Sequence, residues 1–354
     1  MKILDWYLWK STLQGLIVAW LALVMLDLFF AFIGELESVN DQYTSFKAMI
    51  YLIYTLPARF YQFFPTATLI GSLLGLGNLA ANSEFIAMRA AGYSIRGIIF
   101  SVLKLGVLLT ILTFMVGEWV VPVSDLQARN YLATLKNKNI YLVSEAGLWV
   151  KQKDNIIHIA KVWSEEKLDD VTVYSMKADR SGLDKILRAK SVIATKNGWQ
   201  LDQVEKIQFE EKQVNLEALK QINDADLLDA QILKIAAMQP EQLSGSALRK
   251  IIKHQKENAL KSDKFELAYW KRFSVPMSTL VMLILAMPFL FGSQRSGGTG
   301  QRVFIGIVVG IAFFLLNRVL NELGIVYGIP PIISAFLPLL LFLIVSLWML
   351  RRIR

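Results

Sequence analysis

Apolar positions along the chain gather into six runs, Leu13–Ile33, Phe60–Ala81, Ile98–Val121, Phe273–Phe291, Val303–Leu323 and Ile332–Leu350. Each is long enough to cross the hydrocarbon core of a bilayer as one helix, with few or no charges inside it. The interval between the third and fourth runs is polar and follows another rhythm. Short segments rich in branched and aromatic residues recur there: IYLV from 140, GLWV from 147, IIHIA from 156, VTVYSM from 171, then SVIAT and WQLDQVEKIQF. Asn197-Gly198 between two alternating runs is a strong hairpin signal, and the even spacing predicts an antiparallel sandwich or jelly roll. From Pro240 to Lys271 the chain turns charged and helix-favouring, with a narrow stripe of Leu248, Ile251 and Ile252, which predicts a helical connector back to the fourth span. The predicted architecture is a membrane α-helical protein of six transmembrane helices with an inserted all-β jelly-roll domain. Spans one to three occupy 1–123, the insert with its connector 124–265, and spans four to six 266–354.

Between spans two and three, Ser83–Ala91 has the pattern of a short amphipathic helix, with Phe85, Met88 and Ala91 on one face and Glu84 and Arg89 beside it. Asn82 or Ser83 is placed to cap it, and Gly92 to stop it. A helix this short is not stable alone. At a membrane surface it is a handle for a partner.

Composition agrees with a membrane protein: 54% of residues are hydrophobic, mean hydropathy is +0.43, and nine are Trp. Zero cysteines exclude disulfides, thiolate metal sites and cysteine nucleophiles. A net charge of +9 would suit nucleic acid or anionic lipid if gathered in one soluble patch, but here it sorts by side of the membrane. Six spans put both termini on one side, together with Lys2, Lys10, Arg89, Arg96, Arg295, Arg302, Arg351, Arg352 and Arg354, while the loop from Gly34 to Arg59 carries Glu35, Glu37 and Asp41. The positive-inside rule makes the basic side cytoplasmic and turns the insert outward, away from ATP. No nucleic-acid partner is expected. Asp5 interrupts the basic start and no small-x-small site follows the first apolar run, so the N-terminus reads as a retained anchor.

Candidate chemistry is sparse. Gly71, Gly75 and Gly77 resemble a phosphate loop only superficially, because no Lys-Ser/Thr follows and the cluster lies inside an apolar span; close helix packing is the expectation. His158 and His254 are far apart in sequence and lack metal-site or triad motifs. Ionisable residues within spans say more, since each costs about 2.5–3.5 kcal/mol at the bilayer centre on insertion scales. The candidates are Asp27, Lys104, Glu118 and Arg318. Lys104 and Glu118 lie near the ends of span three, where snorkelling accounts for them. Arg318 has Glu322 one turn along, which allows either an internal ion pair or a cation facing anionic cargo. Beyond span three, Arg129, Lys136 and Lys138 form a basic lip able to hold phosphates or acidic sugars, or simply to be solvated. Trp20, Phe29, Phe30, Phe32, Tyr61, Phe63 and Phe64 can line a lipid cavity or face lipid.

The strings FFP with GSLLGLGNLA, SEFIAMRAAG, GEWVVP with ARNY, and VYGIPPIISAFLP resemble the LptF/LptG permease family of the bacterial lipopolysaccharide exporter along essentially the full chain, and GEWVVP and YGIPPII are similar to its LptG branch. The resemblance implies an inner-membrane heterodimer with LptF, two copies of the ATPase LptB, and LptC at the side. Lipopolysaccharide would pass from the outer leaflet of the inner membrane, through periplasmic jelly rolls, to a bridge of LptC and LptA. It implies no cofactor for the permease and no ATPase site of its own, ATP being used by LptB. SEFIAMRAAG then becomes the coupling helix, with Glu84 and Arg89 as polar contacts and Phe85 and Met88 as packing anchors. Phe29, Phe30, Phe32 and Ile33 of span one and Phe314, Leu315 and Arg318 of span five are the implied cavity residues. Lysines usual in the family near the cavity mouth are replaced here around Ala31, Glu35, Glu37 and Ala58, which leaves recognition of lipid phosphates to Arg59, Arg129, Lys136 and Arg318 or to the partner subunit. Without the resemblance, a membrane adaptor or sensor with an outward β ligand domain fits the same pattern, and a membrane-embedded enzyme fits it less well.

Overall fold

The computed structural model describes residues 3–39, 43–135, 148–152, 155–164, 167–177, 182–195, 198–209, 214–224, 227, 240–258, 260–291 and 299–352. They fall into two compact units, one of Met1–Asn40, Thr44–Asp125 and Asp263–Arg354, the other of Asp41–Tyr43 and Leu126–Ser262.

The first unit is helical. Helix α1 is Ile3–Leu36, α2 Ser45–Ala81, α3 Glu84–Ala90 and α4 Ile95–Met115; a π-helical turn, Val116–Val120, joins α4 to α5, Val121–Leu135. After the insert come α7, Asp263–Phe291, α8, Thr299–Val326, and α9, Pro331–Arg351. Six stretches among the described residues are long and apolar enough to cross a membrane: Ile3–Leu36, Ser45–Ala81, Ile95–Leu132, Asp263–Phe291, Phe304–Val326 and Pro331–Arg351. The second span starts earlier than its apolar run, because the helix continues back through Pro65 and Pro57 to Ser45. The loop expected over 34–59 is therefore mostly helix. Hydropathy misses this extension, since a helix can carry polar residues where it leaves the hydrocarbon.

Helices α1 and α2 meet along a seam of small residues. A Cβ on Gly71 would lie 2.3 Å from Leu16 Cα, and one on Gly75 2.1 Å from the Ser11 carbonyl, with Gly15 filling the space opposite Gly71. Ser11 Oγ donates to the Gly75 carbonyl across the seam at 2.9 Å. The glycine cluster is thus a packing surface, which brings backbones close enough for dispersion to hold helices that gain nothing from hydrophobicity in lipid. Span hydroxyls bond back along their own helices, as Thr68 does to the Phe64 carbonyl and Ser278 to the Ser274 carbonyl.

The second unit holds one six-stranded antiparallel sheet: β1 Leu148–Gln152, β2 Asn155–Ser164, β3 Lys167–Met176, β4 Leu183–Thr195, β5 Gly198–Phe209 and β6 Val214–Asp224, in sequence order across the sheet. Five of the predicted runs lie on β1 to β5, and IYLV lies outside the described residues. The polar composition of β6 hides it from sequence. An inserted antiparallel β domain is present, but a jelly roll is seen only in part, because connections as short as 153–154 and 165–166 allow only neighbours to pair, and the described strands form a meander. The connector appears as α6, Gly245–Glu257, capped by Ser244 Oγ accepting from the Ala247 amide, with Leu248 and Ile251 buried and Ile252 half-buried.

A crease crosses the sheet. Along β2 to β5 the buried alternation breaks at one place, where two residues intervene instead of one: Ile159 and Val162, Leu168 and Val171, Ala189 and Val192, Leu201 and Val204 are all buried, each pair three apart. They align as two rows, Ile159–Val171–Ala189–Val204–Leu219 and Val162–Leu168–Val192–Leu201–Ile222. Because β2 to β5 shift phase at the same two rows, pairing register is kept across the step, which a single bulge would not do. At this step the backbone is left-handed at Asp170 and Gln203, both with φ of 52°.

Two substitutions test these features by thermal unfolding of the detergent-solubilised protein. Gly75→Ala costs about 1–3 kcal/mol by overpacking, whereas Gly34→Ala, with nothing within 4 Å of the added Cβ, is close to neutral. At the crease, Gln203→Val costs about 1–3 kcal/mol, since a β-branched residue is strained at positive φ, and Gln203→Gly is tolerated. A regular strand would reverse that order.

Candidate functional site

Helix α3 is held by turns at both ends. Ser83 takes the N-cap position with φ of 59°, and its side chain makes no capping bond. The expected side-chain cap is absent because Ser83 instead turns the backbone sharply out of α2. At the other end Gly92, with φ of 92°, donates to the Arg89 carbonyl and Tyr93 donates to the Met88 carbonyl, both at 3.0 Å. That is a Schellman termination, and it fulfils the stop expected at Gly92.

Phe85 is 2% exposed, with its ring 4.9 Å from that of Phe291 on α7, in a core cluster that includes Leu8, Leu76, Leu79 and Ile98. Met88 is half-buried against the same cluster. The two residues expected to anchor a partner thus anchor α3 to its own bundle. Tyr7 of α1 donates to Glu84 Oε2 at 2.7 Å. The outer surface is made by Ile86, 56% exposed, with Ala87, Arg89 and Ala90, followed by Tyr93 and Arg96. Periodicity does not single out Ile86, but one signal for it exists: Ile86 is the apolar residue out of phase with the Phe85–Met88 stripe.

Among the implied cavity residues, Phe29, Phe30 and Ile33 are exposed and Phe32 is half-buried, with the Phe29 and Phe30 rings 5.7 Å apart. On α8, Phe314 is half-buried, while Leu315 and Arg318 are exposed. No ion pair joins Arg318 to Glu322, and among the described residues Arg318 has no ion-pair partner. Arg59 differs. Its Nη1 pairs with Asp27 across α1 and α2, and its Nε donates to Thr55 Oγ1 at 3.0 Å, so much of its donor capacity is spent within the chain. Arg129 is half-buried and engaged; Lys136 and Lys138 lie outside the described residues. Part of the aromatic group is packing: Trp20 donates to the Phe60 carbonyl at 3.1 Å and sits against Phe60 and Phe64.

The remaining span charges are paired as well. Lys104 lies 3.5 Å from Asp5, and Glu118 lies 3.0 Å from Arg272, a residue that sequence reasoning passes over because it sits at the polar edge of the fourth run. His158 lies against Trp149 on the sheet, the rings tilted and 4.4 Å apart, and His254 bonds the Lys151 carbonyl at 3.1 Å. No cluster of three His, Cys, Asp or Glu side chains placed to hold a metal occurs among the described residues.

Comparison with known proteins agrees with this plan of spans and insert. The family described as lipopolysaccharide export system permease LptF/LptG matches residues 6–352. Lipopolysaccharide export system permease protein LptG of Escherichia coli (strain K12) is 32% identical over 360 residues, covering 99% of this chain and 98% of that protein. LptG of Haemophilus influenzae is 32% identical over 355 residues, covering 99% of each. With six membrane helices, an inserted β unit and these matches over nearly its whole length, the chain belongs to the LptF/LptG family of lipopolysaccharide export permeases, multi-pass proteins of the inner membrane.

Proposed function

We propose that this chain is the LptG-type half of a heterodimeric permease with LptF, which extracts lipopolysaccharide from the outer leaflet of the inner membrane and passes it through LptC to an LptA bridge. Both termini and α3 face the cytoplasm, and the β unit faces the periplasm. Work comes from a separate LptB dimer, and this chain hydrolyses no ATP. The observation that carries the reading is the construction of α3. Phe85 sinks it into the bundle and the Tyr7–Glu84 bond holds its start, while Ile86 and Arg89 remain outward. A short helix seated this firmly passes a push from its outer face into α2 and α7 rather than yielding locally. The basic residues Arg89, in its last turn, and Arg96, just beyond it, support the cytoplasmic placement. On the opposite task, the exposed surfaces of α1 and α8 offer Phe29, Phe30 and Leu315 to acyl chains and Arg318 to an anionic headgroup.

Two predictions follow from that division of labour. Ile86→Asp or Arg89→Glu lowers LptB capture by the purified permease at least about tenfold, equivalent to about 1.4 kcal/mol, at an unchanged thermal midpoint. Phe85→Ala behaves differently and destabilises the bundle by about 3–5 kcal/mol. Normal LptB capture and lipid release by both surface variants would refute the coupling role. For cargo, Arg318→Glu reduces lipopolysaccharide photo-crosslinked from a probe at position 315, and Arg318→Lys retains more; equal crosslinking in all three proteins removes Arg318 from the headgroup site.

A further inference from the structure

The π-helical turn in the third span has a local cause. Pro122 has no N–H, and in a regular α-helix its ring would press on the Glu118 carbonyl four residues back. The chain instead inserts one residue: the Val121 N–H reaches back to the Val116 carbonyl. This leaves the Gly117 carbonyl without a helical donor, since Val121 is committed to Val116 and Pro122 has nothing to give.

Arg272 of α7 supplies that donor. Its Nη1 bonds the Gly117 carbonyl at 2.6 Å and Glu118 Oε2 at 3.0 Å, with the Arg272 side chain only 9% exposed. Gly117 is needed for the fit, because a Cβ there would lie 2.5 Å from the Tyr61 ring of α2. Three helices therefore converge on one carbonyl. The Val121 N–H can serve either Val116, giving the π-turn, or Gly117, giving a proline-kinked α-helix, and Arg272 favours the first by taking the Gly117 oxygen.

We propose that Arg272 is a positioning residue of transport, which locks the π register of the third span, and that its release turns the helix beyond Val121 by one position. One position is a rotation of about 100° and a shift of about 1.5 Å along the axis, enough to exchange the faces of neighbouring residues. The register part stands on the geometry alone, and its link to transport rests on the permease reading.

The chain has no cysteine, so single introduced cysteines report without background. In the full-length protein Val123 is 56% exposed and Ser124 is 9% exposed. With the lock intact, Val123→Cys reacts with a small maleimide at least about tenfold faster than Ser124→Cys, because the buried thiol is shielded. In an Arg272→Gln background that difference collapses or reverses, and lipopolysaccharide release by the assembled transporter falls. Unchanged labelling order in Arg272→Gln overturns the register lock, and altered labelling with undiminished release overturns its role in transport. Should Arg272→Gln not fold, Glu118→Gln, which weakens the hold on Arg272 at nearly constant shape, gives the same readout: a reduced labelling difference supports the lock and an unchanged one refutes it. Labelling needs neither LptB nor cargo, so failure of the permease reading is distinguishable from failure of the lock.

Discussion

Charges and backbone carbonyls that enter hydrocarbon must find partners within the protein, and the helical unit is arranged around that constraint. Asp27 meets Arg59, Glu118 meets Arg272, and Lys104 meets Asp5, each pair joining different helices. Two of the three contain a residue for which hydropathy makes no demand, since Arg59 and Arg272 sit just outside or at the edge of their apolar runs. The same constraint acts on backbone. Pro122 creates an unpartnered carbonyl, and the guanidinium that satisfies it also neutralises the acid beside it, so one side chain meets two needs. The small-residue seam of α1 and α2 places two backbones in direct contact, and the hydroxyls of Thr68 and Ser278 turn back onto their own helices.

What the sequence made legible follows from how local each signal is. Six spans and a β insert are written in periods of a few residues, so composition and alternation reveal them. Pairings such as Arg59 with Asp27 and Arg272 with Glu118 span 32 and 154 positions and leave no local trace. Phe85 shows the limit of periodicity. An amphipathic stripe identifies a face that will be covered, but not whether the chain's own bundle or another protein covers it, and here the bundle does. The crease in the sheet lies between these extremes. Its sign, two buried apolar positions separated by two other residues, is present in IAKV, LDDV, AKSV and LDQV, but becomes meaningful only when pairing aligns them across the strands.

The seating of α3 and the third-span clasp share a logic. In each, an aromatic ring and a polar bond fix a short nonstandard piece of backbone to a neighbouring long helix: Phe85 and the Tyr7–Glu84 bond for α3, Tyr61 and Arg272 for the π-turn. Packed interiors transmit displacement with little loss, whereas a turn left loose would absorb it. Both devices converge on α2 and α7, the helices with the largest buried fractions among the spans. Those two form the buried centre, and α1, α8 and α9 have far fewer fully buried residues.

That distribution gives Arg318 its significance. Asp27, Lys104 and Glu118 are neutralised inside the chain, and the cost of bringing them into the membrane is largely offset there. Arg318 stands on an exposed stretch of α8 between Leu315 and Leu323, with no ion-pair partner among the described residues. A lone cation there costs about 2.5–3.5 kcal/mol toward the bilayer centre and less toward an interface. Asp27 and Glu118 are met by arginines of neighbouring helices, whereas Arg318 is met by no acid among the described residues. On the proposed permease reading, the anionic headgroup of the cargo or an acid of a facing subunit would supply the compensating negative charge.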